Sequence, residues 1–270
     1  MLKQRILTAA ILGCVLLFGL LMLAPQWMVL AFGAASTLGA WEWAGFGALR
    51  GAAARLAYAG GIALLLLVSW LWTSEPLHLL ILLSMACAWW AIAFLWLLVA
   101  PERHQPQLAL LCGVPVLVPA FVAVARLEVA GHGIVRGPQT VVWLMLLVIA
   151  ADIGAFFMGR GLGRHKLAPR VSPGKTWEGA VGGLVTVALV AWGGAAHFGL
   201  PVLPGIAFGC AVGIFSVVGD LTESMFKRSA GLKDSGALLP GHGGIMDRMD
   251  SVTAAAPLYA LGLFGSGVIA

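Results

Sequence analysis

The residues with the most chemistry to offer lie close together, from Asp220 to Asp250. Carboxylates (Asp220, Glu223, Asp234, Asp247 and Asp250) alternate there with cations (Lys227, Arg228, Lys233 and Arg248), and His242 sits among Gly241, Gly243 and Gly244. Carboxylates at this density suit a hard, oxygen-ligated cation such as Mg2+. Lysine and arginine suit phosphate. No serine or cysteine has neighbours that would activate it as a nucleophile. The combination points to phosphoryl or nucleotidyl transfer, which is mostly positioning and charge neutralisation. Two metals held by shared aspartates can activate the attacking oxygen and stabilise the leaving one in such a reaction. If the helix entering this stretch continues to Arg228, then Asp220, Glu223, Ser224 and Lys227 share one face, being three and four apart. Asp247 and Asp250 open the next helix, where capping accounts well for one aspartate and less well for two. The glycines allow a sharp turn and close approach to a ligand around His242.

A second polar stretch, residues 159–179, reads GRGLGRHKLAPRVSPGKTWEG. Its cations, Arg160, Arg164, Lys166, Arg170 and Lys175, serve as a topology signal and attract anionic headgroups. That does not explain Ser172, Thr176 and Glu178 in the same company. Gly174-Lys175-Thr176 has the ending of a phosphate loop, but Pro169 stands where the first glycine is required, which excludes one. Ser172, Lys175 and Thr176 remain candidates as separate phosphate ligands. Two further carboxylates lie within apolar runs. Asp152, in AADIGAFFMGR, is expected to face a cavity, a cation or a partner, with a structural hydrogen bond as the alternative. Glu42, in WEW, reads either as an interfacial carboxylate between tryptophan anchors or as a member of the site.

The elements that must position these groups are read from composition. Of 270 residues, 61% are hydrophobic and only 10% charged, far from the quarter typical of soluble domains. Apolar runs near 20 residues recur, each able to cross about 30 Å of hydrocarbon as a helix. The expected spans are 6–24, 27–47, 56–73, 77–100, 108–126, 138–158, 179–199, 202–219 and 252–270, about nine in all. The fold class expected is therefore an all-α, polytopic integral membrane protein. Residues 1–137 hold about five N-terminal transmembrane helices. Residues 138–270 form a catalytic region carrying loops 159–178 and 220–251. With the N-terminus in the cytoplasm, fourteen of the sixteen Lys and Arg residues fall on the cytoplasmic side, leaving only Arg126 and Arg136 outside, as the positive-inside rule asks. Both polar loops then face the cytoplasm. The net charge of +5 is explained by topology and points to no nucleic-acid partner. Cys14, Cys87, Cys112 and Cys210 lie in apolar runs and form no CxxC pair, so they read as buried hydrophobes.

Ser224 to Asp250 resembles, position for position, the signature of the phosphatidate cytidylyltransferases (CDP-diacylglycerol synthases): S-x-apolar-K-R, four residues, K-D, then P-x-H-G-G-apolar-x-D-R-apolar-D. SPGKTWEG is similar to an upstream segment of the same family, with Gly174 where a second lysine is often found. The motif-bearing resemblance covers roughly residues 150–251. It implies transfer of the cytidylyl group of CTP to phosphatidate, giving CDP-diacylglycerol and pyrophosphate, by direct attack of the lipid phosphate on the α-phosphorus. It implies Asp220 and Asp247 as paired metal ligands for Mg2+ and a second cation, with Asp250 and Asp234 in support. Lys227, Arg228, Lys233 and Arg248 would neutralise phosphates, Ser172, Lys175 and Thr176 would bind nucleotide or lipid phosphate, and His242 would donate a hydrogen bond or shape the turn. It also implies a homodimer with a polar cavity opening toward membrane lipid. The compact chain suggests a bacterial plasma (inner) membrane. A secondary transporter would place its charge near midplane in broken, repeated helices, and no repeat is visible. A CTP-dependent lipid kinase would not carry the full signature.

Overall fold

In hydrocarbon every backbone N–H and C=O must be satisfied within its own segment, so apolar runs become helices. The computed structural model describes residues 2–101, 106–132, 135–238 and 243–269. Among these residues nine helices follow in order: α1 (Leu2–Met22), α2 (Pro25–Phe46), α3 (Ala52–Trp72), α4 (Pro76–Val99), α5 (Pro106–Val129), α6 (Gly137–Leu162), α7 (Trp177–Phe198), α8 (Val202–Ser229) and α9 (Met246–Gly265). Proline stands in the first turn of α2, α4 and α6, where its missing N–H has no intrahelical partner to lose. Among the described residues six helices, α3 to α8, are long and apolar enough to cross a membrane. Leu64, Leu67 and Leu71 of α3 and Met85, Ile92 and Leu95 of α4 are exposed, a surface that only lipid would solvate. The chain is an all-α polytopic membrane protein.

α2 and α9 fall short of that apolarity for a packing reason. α9 lies against α4, α5, α6 and α8 and buries Ser251, Thr253, Ala254, Ala255 and Ala256, small residues that let neighbours approach closely. α2 turns Ser36, Glu42 and Trp43 inward. The Trp43 indole donates to the Ala109 carbonyl of α5 at 2.6 Å, and its ring lies 5.3 Å from that of Phe226 on α8. The first half of the chain is thereby tied to the polar end of the second.

α6 and α7 pack along small residues. A Cβ on Gly154 would lie 2.5 Å from the Gly182 carbonyl oxygen, and the Thr186 hydroxyl crosses to the Ala150 carbonyl at 2.6 Å. The segment joining these helices is not an open loop. β3 (Lys166–Ala168) and β4 (Ser172–Thr176) form an antiparallel hairpin, with Lys166 opposite Thr176 and Ala168 opposite Ser172. Glu178 fastens its base, accepting from the Arg164 and His165 N–H groups at 3.1 and 3.2 Å and meeting His165 Nδ1 at 2.6 Å. A shorter antiparallel pair, β1 (Gly131–His132) and β2 (Val135–Arg136), precedes α6.

Candidate active site

α8 remains helical ten residues past the expected end of its span, to Ser229, and α9 begins at Met246, before its expected span. The polar residues therefore ride on rigid helix ends. They lose little by this, because they face each other across the α8–α9 contact. That contact is close: a Cβ on Gly219 would fall 2.5 Å from the Asp250 carbonyl oxygen.

The helical face expected from spacing forms. Ser224 Oγ donates to Asp220 Oδ1 at 3.3 Å, and Lys227 Nζ lies 3.4 Å from Glu223 Oε1 one turn back. The same ammonium donates to Asp247 Oδ1 at 2.6 Å. Asp247 Oδ2 accepts from the Gly244 N–H at 2.8 Å and from the Ser235 N–H and hydroxyl at 2.9 and 3.0 Å. Gly243 has φ +78°, a conformation that glycine adopts without strain. Its missing Cβ also leaves room for Asp247 Oδ2, which would otherwise lie 2.5 Å away.

Asp220 is paired from the other side. Lys175, near the end of β4, reaches Asp220 Oδ2 at 2.5 Å. Asp250 lies within electrostatic reach of Asp220 and Lys227 and faces the Glu223 carboxyl. The result is one string of charge, Lys175, Asp220, Asp250, Glu223, Lys227 and Asp247, in which three carboxylates lie between two lysines. Beyond Asp247 it continues through Ser235 to Glu42 of α2, whose Oε2 accepts from Ser235 Oγ at 2.9 Å.

The string opens on a cavity of about 390 Å³ between α6, the hairpin and α7. Asp152, Arg160 and Lys175 give it polar wall, and Phe156, Leu167 and Val217 apolar wall. Asp152 feels the charges of Asp220, Lys175 and Arg248, so its place beside a cavity is the one its cost in lipid suggests.

Thr176 is buried, and its hydroxyl accepts from the Gly179 N–H as the N-cap of α7. Ser172 begins β4, half-buried. Arg228 and Lys233 are exposed, and Arg228 donates to the Leu232 carbonyl at 3.3 Å. Asp234 is exposed beside Gly243, and Arg248 is exposed in the first turn of α9. His242 lies outside the described residues. Ser235 was not among the expected residues. A lone serine after Lys-Asp carries no signal of its own, and its partners lie elsewhere in the chain.

Among the described residues no three Asp, Glu, His or Cys side chains converge with metal-ligand geometry, and Asp220 and Asp247 each hold a lysine. Both Glu223 oxygens are buried without a hydrogen-bond donor although the Asp250 carboxyl faces them. The Lys227 ammonium, 3.4 Å from Glu223 Oε1, offsets only one of these two carboxylates. An all-oxygen donor set of this kind fits a hard divalent ion.

A helical membrane protein whose cation–carboxylate string ends on a part-apolar cavity has the makings of a group-transfer enzyme working on phosphates at a lipid boundary. The comparisons make the class definite: the chain belongs to the cytidylyltransferase family, whose model matches residues 3–264. It is 39% identical to the phosphatidate cytidylyltransferase of Haemophilus influenzae over 96% of this chain and 98% of that one. It is 41% identical to the phosphatidate cytidylyltransferase of Pseudomonas aeruginosa over 99% and 98%. The match to the Brucella suis phosphatidate cytidylyltransferase is 49% over 48% of each chain.

Proposed function

We propose that this protein transfers the cytidylyl group of CTP to phosphatidate, releasing pyrophosphate and leaving CDP-diacylglycerol in the membrane. The observation that carries the reading is the Lys175–Asp220 pair at the wall of the part-apolar cavity. In this reading Lys175 is a cation for phosphate and Asp220 a carboxylate for a metal, beside a cavity that a lipid headgroup would enter. A volume of about 390 Å³ is within the usual range for small-molecule sites.

In this reading a phosphate oxygen of phosphatidate attacks the α-phosphorus of CTP. The new P–O bond forms as the bond to the bridging oxygen of the β-phosphate breaks, and pyrophosphate departs with that electron pair. No protein side chain becomes covalently attached. Lys175 holds a phosphate at the cavity. Lys227 and Arg248, with the exposed Arg228 and Lys233, neutralise the nucleotide phosphates and the departing pyrophosphate. Asp220 and Asp247 would hold Mg2+ and a second cation, with Asp250, Glu223 and Asp234 alongside. Bound Mg2+ supplies charge neutralisation at the phosphate oxygens.

Residues 138–270 carry the chemistry here, and residues 1–137 supply most of the lipid-facing wall. The reading extends to nine spans, a cytoplasmic N-terminus, cytoplasmic placement of both polar segments in a bacterial plasma membrane, and a homodimer. The distribution of Lys and Arg supports the topology.

The test is a product assay in detergent with phosphatidate and CTP labelled at either the α- or the γ-phosphate, with and without Mg2+, and with Asp247→Asn in parallel. Label from the α-position entering lipid, pyrophosphate release, and loss of both in the variant and without Mg2+ are the expected results. Label entering lipid only from the γ-position would make the enzyme a lipid kinase.

A further inference from the structure

We propose that Glu42, on α2, is a positioning residue for the transfer reaction, acting on Asp247 through the Ser235 hydroxyl. The proposal rests on the cytidylyltransferase reading above. Glu42 is 3% exposed. Its Oε2 accepts from Ser235 Oγ and from the Met246 N–H, both at 2.9 Å. These partners are 193 and 204 residues away in sequence, so a carboxylate from the first half of the chain reaches the centre of the second.

The surrounding backbone is shaped around this carboxylate. A Cβ on Gly236 would lie 2.4 Å from Glu42 Oε1, and one on Gly244 would lie 2.3 Å from Oε2. Only hydrogen fits at either position. The polar segment between α8 and α9 thus closes on Glu42 from two sides, and Gly244 is also the residue whose N–H holds Asp247.

Capping is the simpler explanation. Ile245, at the start of α9, makes no side-chain cap, and Glu42 supplies one from a distance by taking the Met246 N–H. Capping accounts for that bond but not for the bond to Ser235. Ser235 Oγ has one proton and two carboxylate acceptors, Glu42 Oε2 at 2.9 Å and Asp247 Oδ2 at 3.0 Å. A hydroxyl donates one hydrogen, so whichever carboxylate receives it leaves the other with an open lone pair. Glu42 therefore anchors the Ser235 hydroxyl beside Asp247, and that hydroxyl with the Ser235 and Gly244 N–H groups sets the orientation of the Asp247 carboxylate. An aspartate expected to take a cation needs such a fixed orientation.

The experiment is a double-mutant cycle of Glu42→Gln and Ser235→Ala in the full chain. It measures kcat and KM for CTP and phosphatidate, together with melting temperature and hydrogen exchange of the 243–251 backbone without substrate. The expected result is a fall in kcat of about tenfold or more in each single variant, the scale seen for groups that orient a ligand residue. KM for phosphatidate stays within about twofold, and the double variant is no worse than the worse single, since residues acting through one another are not additive. Exchange over 243–251 speeds up in Glu42→Gln whether or not the wild type turns over, which separates this proposal from the reaction assigned to the enzyme. Wild-type kcat in Glu42→Gln overturns the proposal. So do multiplying effects with a lowered melting temperature, which would leave Glu42 as a cap alone. If the wild type makes no CDP-diacylglycerol but exchange responds, the reaction is wrong and the Glu42–Ser235–Asp247 linkage stands.

Discussion

Lys227 meets two carboxylates, Glu223 and Asp247, and Lys227→Met measures what its ammonium contributes. Methionine keeps the length of the apolar stem and removes the ammonium. The side chains of Lys227, Glu223 and Asp247 are 9%, 2% and 9% exposed, so water can replace little of what is lost. Removing one partner from a buried ion pair costs about 3–5 kcal/mol, because a charge is left buried and uncompensated. At roughly 2–4 °C per kcal/mol for a chain near this size, the apparent melting temperature in detergent falls by about 10 °C. Adding Glu223→Gln removes one of the two orphaned charges, so stability should return in part while CDP-diacylglycerol formation stays lost. Thermal unfolding followed by tryptophan fluorescence, with the product assay on the same samples, reads both. A single variant that melts within about 2 °C of wild type, well inside the loss set by the buried-pair scale, would refute the reasoning. A double variant no more stable than the single one would do the same.

The Lys175–Asp220 pair should behave differently. Its side chains are 27% and 25% exposed, and open pairs contribute at most about 1 kcal/mol. Lys175→Ala should leave melting nearly unchanged and raise KM for phosphatidate. Asp220→Asn should lower kcat by about 100-fold, the scale of losing one group that stabilises transition-state charge. Thr176→Val removes the α7 cap and should cost about 1 kcal/mol, seen as a lower melting temperature that Thr176→Ser restores. Gly154→Val drives side-chain atoms into the α7 backbone and should destabilise by about 1–3 kcal/mol, read as a lower yield of monodisperse protein.

The helices were legible because lipid imposes one length and one solution for backbone hydrogen bonds. Their ends were less so. A span estimate stops at the first charge, Asp220, whereas the helix continues because its charges meet counter-charges on α9 and the hairpin. The hairpin itself was invisible: Lys166–Ala168 and Ser172–Thr176 lack alternating apolar residues, and what fixes them is the Glu178 carboxylate and the Thr176 cap. The α8 face was readable from spacing alone, since i and i+4 neighbours are local. Which lysine meets which aspartate was not, because Lys175 to Asp220 and Lys227 to Asp247 are tertiary contacts. Glu42 showed only a carboxylate in an apolar run, and its partner is a serine without any motif of its own.

α9 also bears on how the protein is made. It is enclosed by α4, α5, α6 and α8 and lacks the apolarity of the six helices able to span by composition. It leaves the ribosome after α1 to α8. A segment of this kind gains more from docking against proteins already in the bilayer than from partitioning into lipid by itself. Asp247 and Asp250 travel at its leading end. The nascent chain therefore carries Asp220, Glu223 and Lys227 toward the membrane before their counterparts arrive, and the candidate site is complete only once α9 has docked.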